Sequence, residues 1–239
     1  MPRAIGTANE TSLHRQLKRI YGGRGWRSEI EIAGFVVDGI NADGAYVEVQ
    51  SGGFGRFAEK AKIIAALGSL KVIHPIIIAK YIEVFDAGGR ELRRKKSPRS
   101  GSPWDLFREL VYAAELPLVP GLEIELALVD AAEERVLDGK GSWRRMGASV
   151  RDRRLIALRE SIGLKTPADY LRFVPFARNE EFTSGALAKK AGIRVALARK
   201  TLYVLAKLGI AERIGKKGNA LVYQLPAEPG ETKLENNRC

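Results

Sequence analysis

Apolar residues recur at helical spacing near the start of the chain. Leu13, Leu17, Ile20 and Tyr21 form one stripe, behind Asn9 and Thr11 as capping candidates. The glycines of GGRG (22–25) stop that helix. EIEIAGFVVDGI (29–40) then reads as a strand ending near Asp38, long enough to hold a second strand. NADG (41–44) reads as a hairpin turn, and AYVEVQ (45–50) as the returning strand. SGGFG (51–55) breaks the alternation, and RFAEKAKIIAAL (56–67) predicts a helix burying Phe57, Ala61, Ile64 and Ala65. KVIHPIIIA (71–79) is almost wholly apolar, as expected of a strand covered on both faces.

Beyond residue 80 the pattern predicts a basic hairpin over 81–101 and a helix over 102–116, with Ser102 as cap and Pro103 at its first position. GLEIELALVD (121–130) predicts a strand, and 141–163 a helix start surrounded by arginines. The last third changes rhythm. Short helices are expected over 166–175 (capped by Thr166), 182–192 and 194–209, the third ended by Gly209 and burying Ala198, Leu202, Leu205 and Leu208. Two strands follow over 210–225, joined by the turn GKKGN. Three helices followed by a hairpin is the winged helix-turn-helix order.

Composition narrows the function classes. Across 239 residues, 40 Lys and Arg outweigh 28 Asp and Glu, for a formal charge of +12. Such an excess favours a polyanionic partner, because cations gain affinity by releasing counterions from phosphates. No apolar run reaches bilayer length and the N-terminus has no apolar signal core, so no membrane and a cytoplasmic location are expected. The sole cysteine is Cys239 and the histidines are His14 and His74, so thiolate and His-rich metal centres are excluded. Both histidines are expected to be structural. Neither a nucleophile triad nor a phosphate-cradling loop is evident.

The candidate chemistry lies in the first 80 residues. Asp38 ends one strand and Glu48 lies on the next, across only a hairpin turn. Gln50 shares the parity of Glu48, so its side chain is expected on the same face, with the Val49 carbonyl between them. These oxygens suit a hard divalent ion. Turn chemistry at Asp38 and a solvated row at Glu48 and Gln50 are the plainer account of the same residues.

Asp38, Glu48 and Gln50, within VVDGINADGAYVEVQ, resemble the motif of the PD-(D/E)xK nuclease superfamily. There an acidic residue precedes a strand bearing Glu-x-Lys, then a helix and a further strand. The resemblance implies an α/β fold: a restriction-endonuclease-like mixed β-sheet flanked by helices, here with a C-terminal winged-helix domain. It implies domains at 1–160 (core about 5–80) and 165–226, with a disordered tail at 227–239. It also implies metal ligands Asp38, Glu48 and the Val49 carbonyl, magnesium or manganese as the ion, and Glu10 as a further acid. Glutamine replaces the usual lysine, and Lys60 on the following helix is the candidate to supply the missing charge.

The implied activity is metal-dependent DNA endonuclease action, the alternative a non-catalytic DNA-binding regulator with a degenerate nuclease fold. DNA contacts are expected from Arg194, Arg199, Lys200 and Lys207 on the third C-terminal helix and from Lys216 and Lys217 in the wing. A homodimer or a protein partner stays open. Trp143 with Arg144, Arg145, Arg151, Arg153 and Arg154 reads either as an interdomain salt-bridge seam with Glu133, Glu134, Asp138 and Asp152, the favoured option, or as a stacking and phosphate-binding patch.

Overall fold

The computed structural model describes residues 10–226; the Asn9 cap, the tail over 227–239 and Cys239 lie outside them. Helix α1 (Ser12–Gly22) begins at Thr11, whose side-chain oxygen accepts from the His14 N–H at 3.4 Å. Leu13 and Leu17 are buried, but Ile20 is 45% exposed, so the stripe is narrower than its periodicity suggests. The 29–40 run is two strands, β1 (Arg27–Ile32) and β2 (Phe35–Ile40). Between them Ala33 and Gly34 take φ of +49° and +78°, the backbone of a two-residue hairpin turn. β3 (Tyr46–Val49) returns antiparallel to β2 after a turn in which the Asn41 side chain accepts from the Ala45 N–H at 2.9 Å.

Helix α2 (Phe54–Leu67) buries Phe54, Phe57, Ala61, Ile64 and Ala65, as its spacing predicts. It crosses to β4 (Leu70–Phe85), which runs parallel to β3. Along one edge β4 pairs with β3 over Leu70–Ile73, then with β5 (Glu91–Lys96) over Tyr81–Phe85. Ser102 and Asp105 form a capping box, but the helix they open, α3 (Leu106–Leu110), is shorter than expected. The apolar run beyond it turns instead, and Pro117 sits in a further 3-10 turn.

β6 (Leu122–Leu137) pairs parallel to β4, and β7 (Ala148–Leu164) antiparallel to β6. The arginine-rich stretch expected to start a helix is thus mostly strand. Its arginines find carboxylates across the sheet: Arg151 with Glu134, Arg153 with Glu133, Arg154 with Glu83, and Arg159 with Asp130. Of the pairs expected of a seam, those of Arg151, Arg153 and Arg154 form, and they form within the sheet rather than between domains. The result is a seven-stranded mixed sheet of order β1-β2-β3-β4-β6-β7, with β5 on β4.

After a capped 3-10 segment (Pro167–Phe173) come β8 (Phe182–Thr183), α4 (Ser184–Ala191), α5 (Val195–Lys207), β9 (Glu212–Lys217) and β10 (Ala220–Gln224). The three strands form a second sheet, β8-β10-β9. One apolar cluster holds α2 residues, Leu110, Phe173, Leu187 and Leu202 together, so this unit shares the core on the α2 side of the large sheet. A second cluster, with Leu13, Leu17, Val47 and Val49, lies under α1.

Gly39 sits where β2 meets Trp26. A Cβ there would come within 2.4 Å of the Arg27 carbonyl oxygen and of the indole. Gly39→Ala is expected to destabilise the fold by about 1–3 kcal/mol in chemical denaturation, because neither neighbour can withdraw cheaply.

Candidate functional site

The ladder between β2 and β3 ends at Gly39 opposite Val47, so Asp38 and Glu48 stand where the strands part. Their side chains take over from backbone pairing. Asp38 Oδ2 accepts from the Val49 N–H at 2.8 Å, and Glu48 Oε2 accepts from the Asp38 N–H at 3.1 Å. Two carboxylates thus clasp the ends of two strands, each bound to the other strand's backbone.

Helix α1 brings its own charges to Asp38. Glu10, His14 and Lys18 recur every four residues, the spacing that stacks side chains on one helix face. Lys18 Nζ lies 2.8 Å from Asp38 Oδ1 and 2.7 Å from Glu10 Oε1. His14 Nε2 lies 3.1 Å from Asp38 Oδ2 and 3.6 Å from Glu10. From the other side of the sheet, Lys60 of α2 reaches Glu48 Oε1 at 2.6 Å and the Val36 carbonyl at 2.7 Å.

The expected convergence of Asp38 and Glu48 on one face takes a different form. The two acids are gripped from opposite faces of the sheet, Asp38 by α1 and Glu48 by α2, and the contact between them runs through the backbone, Glu48 Oε2 accepting from the Asp38 N–H. Alternation along β3 is the reason: Val47 and Val49 go under α1, which turns Glu48 toward α2.

The surroundings push the two acids apart. Burial would raise Asp38, but hydrogen bonds from His14, Lys18 and the Val49 N–H outweigh it and hold the carboxyl below its ordinary value. Burial, and then the Asp38 charge, push Glu48 above its ordinary value despite Lys60. Burial works against the charge of Lys18, yet its bonds to Asp38 and Glu10 leave it raised. Asp38 therefore contributes stability that is lost as pH falls through its folded value. The share of Glu48 is greatest below about pH 4.5 and declines as pH rises. Lys60→Met removes the one ammonium opposing that rise, so Glu48 is expected to titrate higher still in carboxyl-carbon NMR. An unmoved titration would show that the Lys60 charge is not felt there.

Gln50 does not join the acids through its side chain. Its amide Nε2 donates to the Gly52 carbonyl, bracing the glycine loop. Its own carbonyl accepts from His74 Nδ1 at 2.7 Å, just before Pro75, which has no N–H to offer. Burial lowers the pKa of His74, in keeping with a neutral structural ring. The Gly53 N–H, at the start of α2, donates to Glu109 Oε2 at 2.7 Å.

Among the described residues no group of three or more His, Cys, Asp and Glu is placed to hold a metal ion. A magnesium ion commonly takes only one or two carboxylates, with water and substrate oxygens completing its shell. All four oxygens of Asp38 and Glu48 already accept from protein donors, Asp38 from Lys18, His14 and the Val49 N–H and Glu48 from Lys60 and the Asp38 N–H, so an ion here would have to displace Lys18 and Lys60.

His14 and Lys18 are the site residues that sequence reading missed. The four-residue spacing from Glu10 was the available signal. Of the basic residues expected to touch DNA, Arg194, Arg199 and Lys207 are exposed along α5. Lys200 lies over the Tyr112 ring at 5.3 Å and is partly covered. Lys216 and Lys217 are exposed at the end of β9. No helix of the described residues is long and apolar enough to cross a membrane.

No solved structure matches the chain. It is 29% identical over 230 residues to an uncharacterized protein of Treponema pallidum (strain Nichols), covering 96% of this chain and 90% of that one. That alignment is longer than the large-sheet domain and so takes in C-terminal residues as well. A family model described as a domain of unknown function matches residues 11–165, from α1 through β7, and includes Asp38, Glu48, Gln50 and Lys60. The chain belongs to that family, DUF8091.

Proposed function

We propose that the large-sheet domain is restriction-endonuclease-like and hydrolyses DNA phosphodiester bonds with a divalent ion, and that the C-terminal unit is a winged helix that holds the duplex. One observation carries the reading: Glu10, Asp38 and Lys18 on the α1 face and Glu48 and Lys60 on the α2 face, all largely buried, flank the point where two strands part beside a glycine loop. Burying that much charge is costly, and a functional site would account for its concentration at one point of the sheet. The order of acid, strand, Glu-x, helix and parallel strand agrees with the resemblance seen in the sequence.

Asp38 and Glu48, with the Val49 carbonyl, would hold magnesium. When bound, the ion supplies charge neutralisation for the phosphate and a more acidic water. Lys60, placed by α2 beside Glu48, positions a positive charge at the reacting phosphate. Lys18 and His14 fix the orientation of Asp38. Gln50 holds the glycine loop open rather than carrying the charge of the lysine it replaces. Arg194, Arg199, Lys216 and Lys217 contact phosphates from α5 and β9 and set duplex position.

A second reading has its own observation. Each carboxylate is already balanced by an ammonium group, as in a retired site kept for stability. Under that reading the protein is a DNA-binding regulator without cleavage. Incubation of supercoiled plasmid with the protein and magnesium or manganese separates the two. Nicking or linearisation that EDTA stops supports the nuclease. Salt-sensitive duplex binding without cleavage in either ion supports the regulator.

A further inference from the structure

The far end of the large sheet carries a second feature. A cavity of about 700 Å³ opens between the β4–β5 hairpin, β6, the Ser142–Arg145 turn and β7. Six Lys and Arg side chains line it, against one carboxylate, Glu133. Glu133 is already engaged by Lys80, Arg135 and Arg153. Among the described residues no carboxylate pairs with Arg99, Arg144 or Arg145. Trp143 stands at this cavity 83% exposed, with the Arg144 guanidinium 5.5 Å from its ring. A smaller cavity of about 320 Å³ shares Arg135, Arg144 and Arg145 and runs on toward Met146, which is 71% exposed. Together they make a cationic groove with apolar surfaces left in water.

We propose that this groove binds single-stranded nucleic acid, with an unpaired base stacked on Trp143 and the neighbouring phosphates held by Arg99, Arg144 and Arg145. Three features select that ligand. Guanidinium groups without a carboxylate partner in a concave surface, Arg145 giving its Nε to the Ala148 carbonyl at 3.1 Å, call for an anion that can take forked hydrogen bonds, and phosphate does so. A large indole in water calls for a flat π face, which a base supplies and an acidic peptide rarely does. A duplex keeps its base faces stacked inside, so an open strand alone offers one to Trp143.

The groove is distinct from the carboxylate cluster. Glu48 stands opposite Val72 on β4 and the cavity begins at Lys80, about 25 Å further along the strand. Strand binding at this distance would let the protein recognise duplexes with an open flank.

The test is run in EDTA, where cleavage is silent. A labelled single-stranded oligodeoxynucleotide is expected to raise anisotropy and to quench tryptophan fluorescence. Trp143→Ala, at an exposed position with little packing to lose, is expected to bind about tenfold more weakly and to lose the quench. A strand with abasic sites should bind wild type less well, whereas Trp143→Ala should bind intact and abasic strands alike. Arg144→Ala with Arg145→Ala should lower the slope of log affinity against log salt by about 1.4. Equal affinity of wild type and Trp143→Ala, or displacement of the strand by polyglutamate as readily as by unlabelled DNA, would overturn the proposal. Trp143-dependent binding by a protein that cuts nothing retires the nuclease reading alone; cleavage without such binding retires this one.

Discussion

Asp38→Asn is expected to reduce ion-dependent plasmid cleavage by a hundredfold or more, on the order of a lost transition-state electrostatic contact, while the protein still folds. Asparagine keeps an oxygen to accept from the Val49 N–H and from His14, so the clasp between β2 and β3 survives. What it removes is the negative charge that Lys18 balances and that a divalent ion would need. Asp38→Ala should be as inactive and less stable. It leaves the Val49 N–H without its acceptor and Lys18 with Glu10 alone in a largely buried setting, a loss of about 2 kcal/mol. The pair of variants separates chemistry from folding. Full cleavage by the asparagine protein, with its melting temperature near that of wild type, would end the carboxylate mechanism.

Glu133→Gln is expected to lower stability at pH 7 by about 3 kcal/mol and the melting temperature by about 6–12 °C. Glu133 is buried in β6 and accepts from Arg135 at 2.6 Å and Arg153 at 3.1 Å, with Lys80 at 3.3 Å. Burial alone would raise its pKa, but the Arg135 hydrogen bond and the charges of Lys80, Arg153 and Arg135 hold it at about 2 against an ordinary 4.5. A depressed acid binds its proton more readily in the unfolded chain. Its contribution is thus complete above about pH 4.5 and disappears as pH falls through about 2. The glutamine variant should therefore have the flatter melting profile between those values. Parallel profiles for the two proteins would mean that Glu133 adds no net stability.

Legibility differed by element, for reasons that can be traced. The stripe of α2 was plain because Phe57, Ala61, Ile64 and Ala65 face one core and nothing competes for them. The split of the 29–40 run depended on Ala33 adopting a positive φ, which alanine does not advertise. The 148–164 strand was hidden because Arg151, Arg153 and Arg154 break apolar alternation. They suit a strand only because Glu133 and Glu134 wait on β6 and Glu83 on β4 beyond it. At the site, Asp38 and Glu48 could be picked out from one hairpin, whereas His14 and Lys18 could not. A histidine and a lysine beside an apolar stripe look like ordinary surface until β2 is packed against them.

Local order alone determined the succession of helices and strands around the acids, the short loop between them and the basic balance of the chain. These follow from side-chain periodicity and turn chemistry, which act over a few residues. Tertiary structure decided which cation meets which carboxylate, which face each acid leaves by, and that the arginines of β7 neutralise two other strands. Those outcomes depend on pairing between segments up to about seventy residues apart, such as Arg154 with Glu83. Electrostatic energy depends on distance in space and on exclusion of water, and neither exists until the sheet has closed.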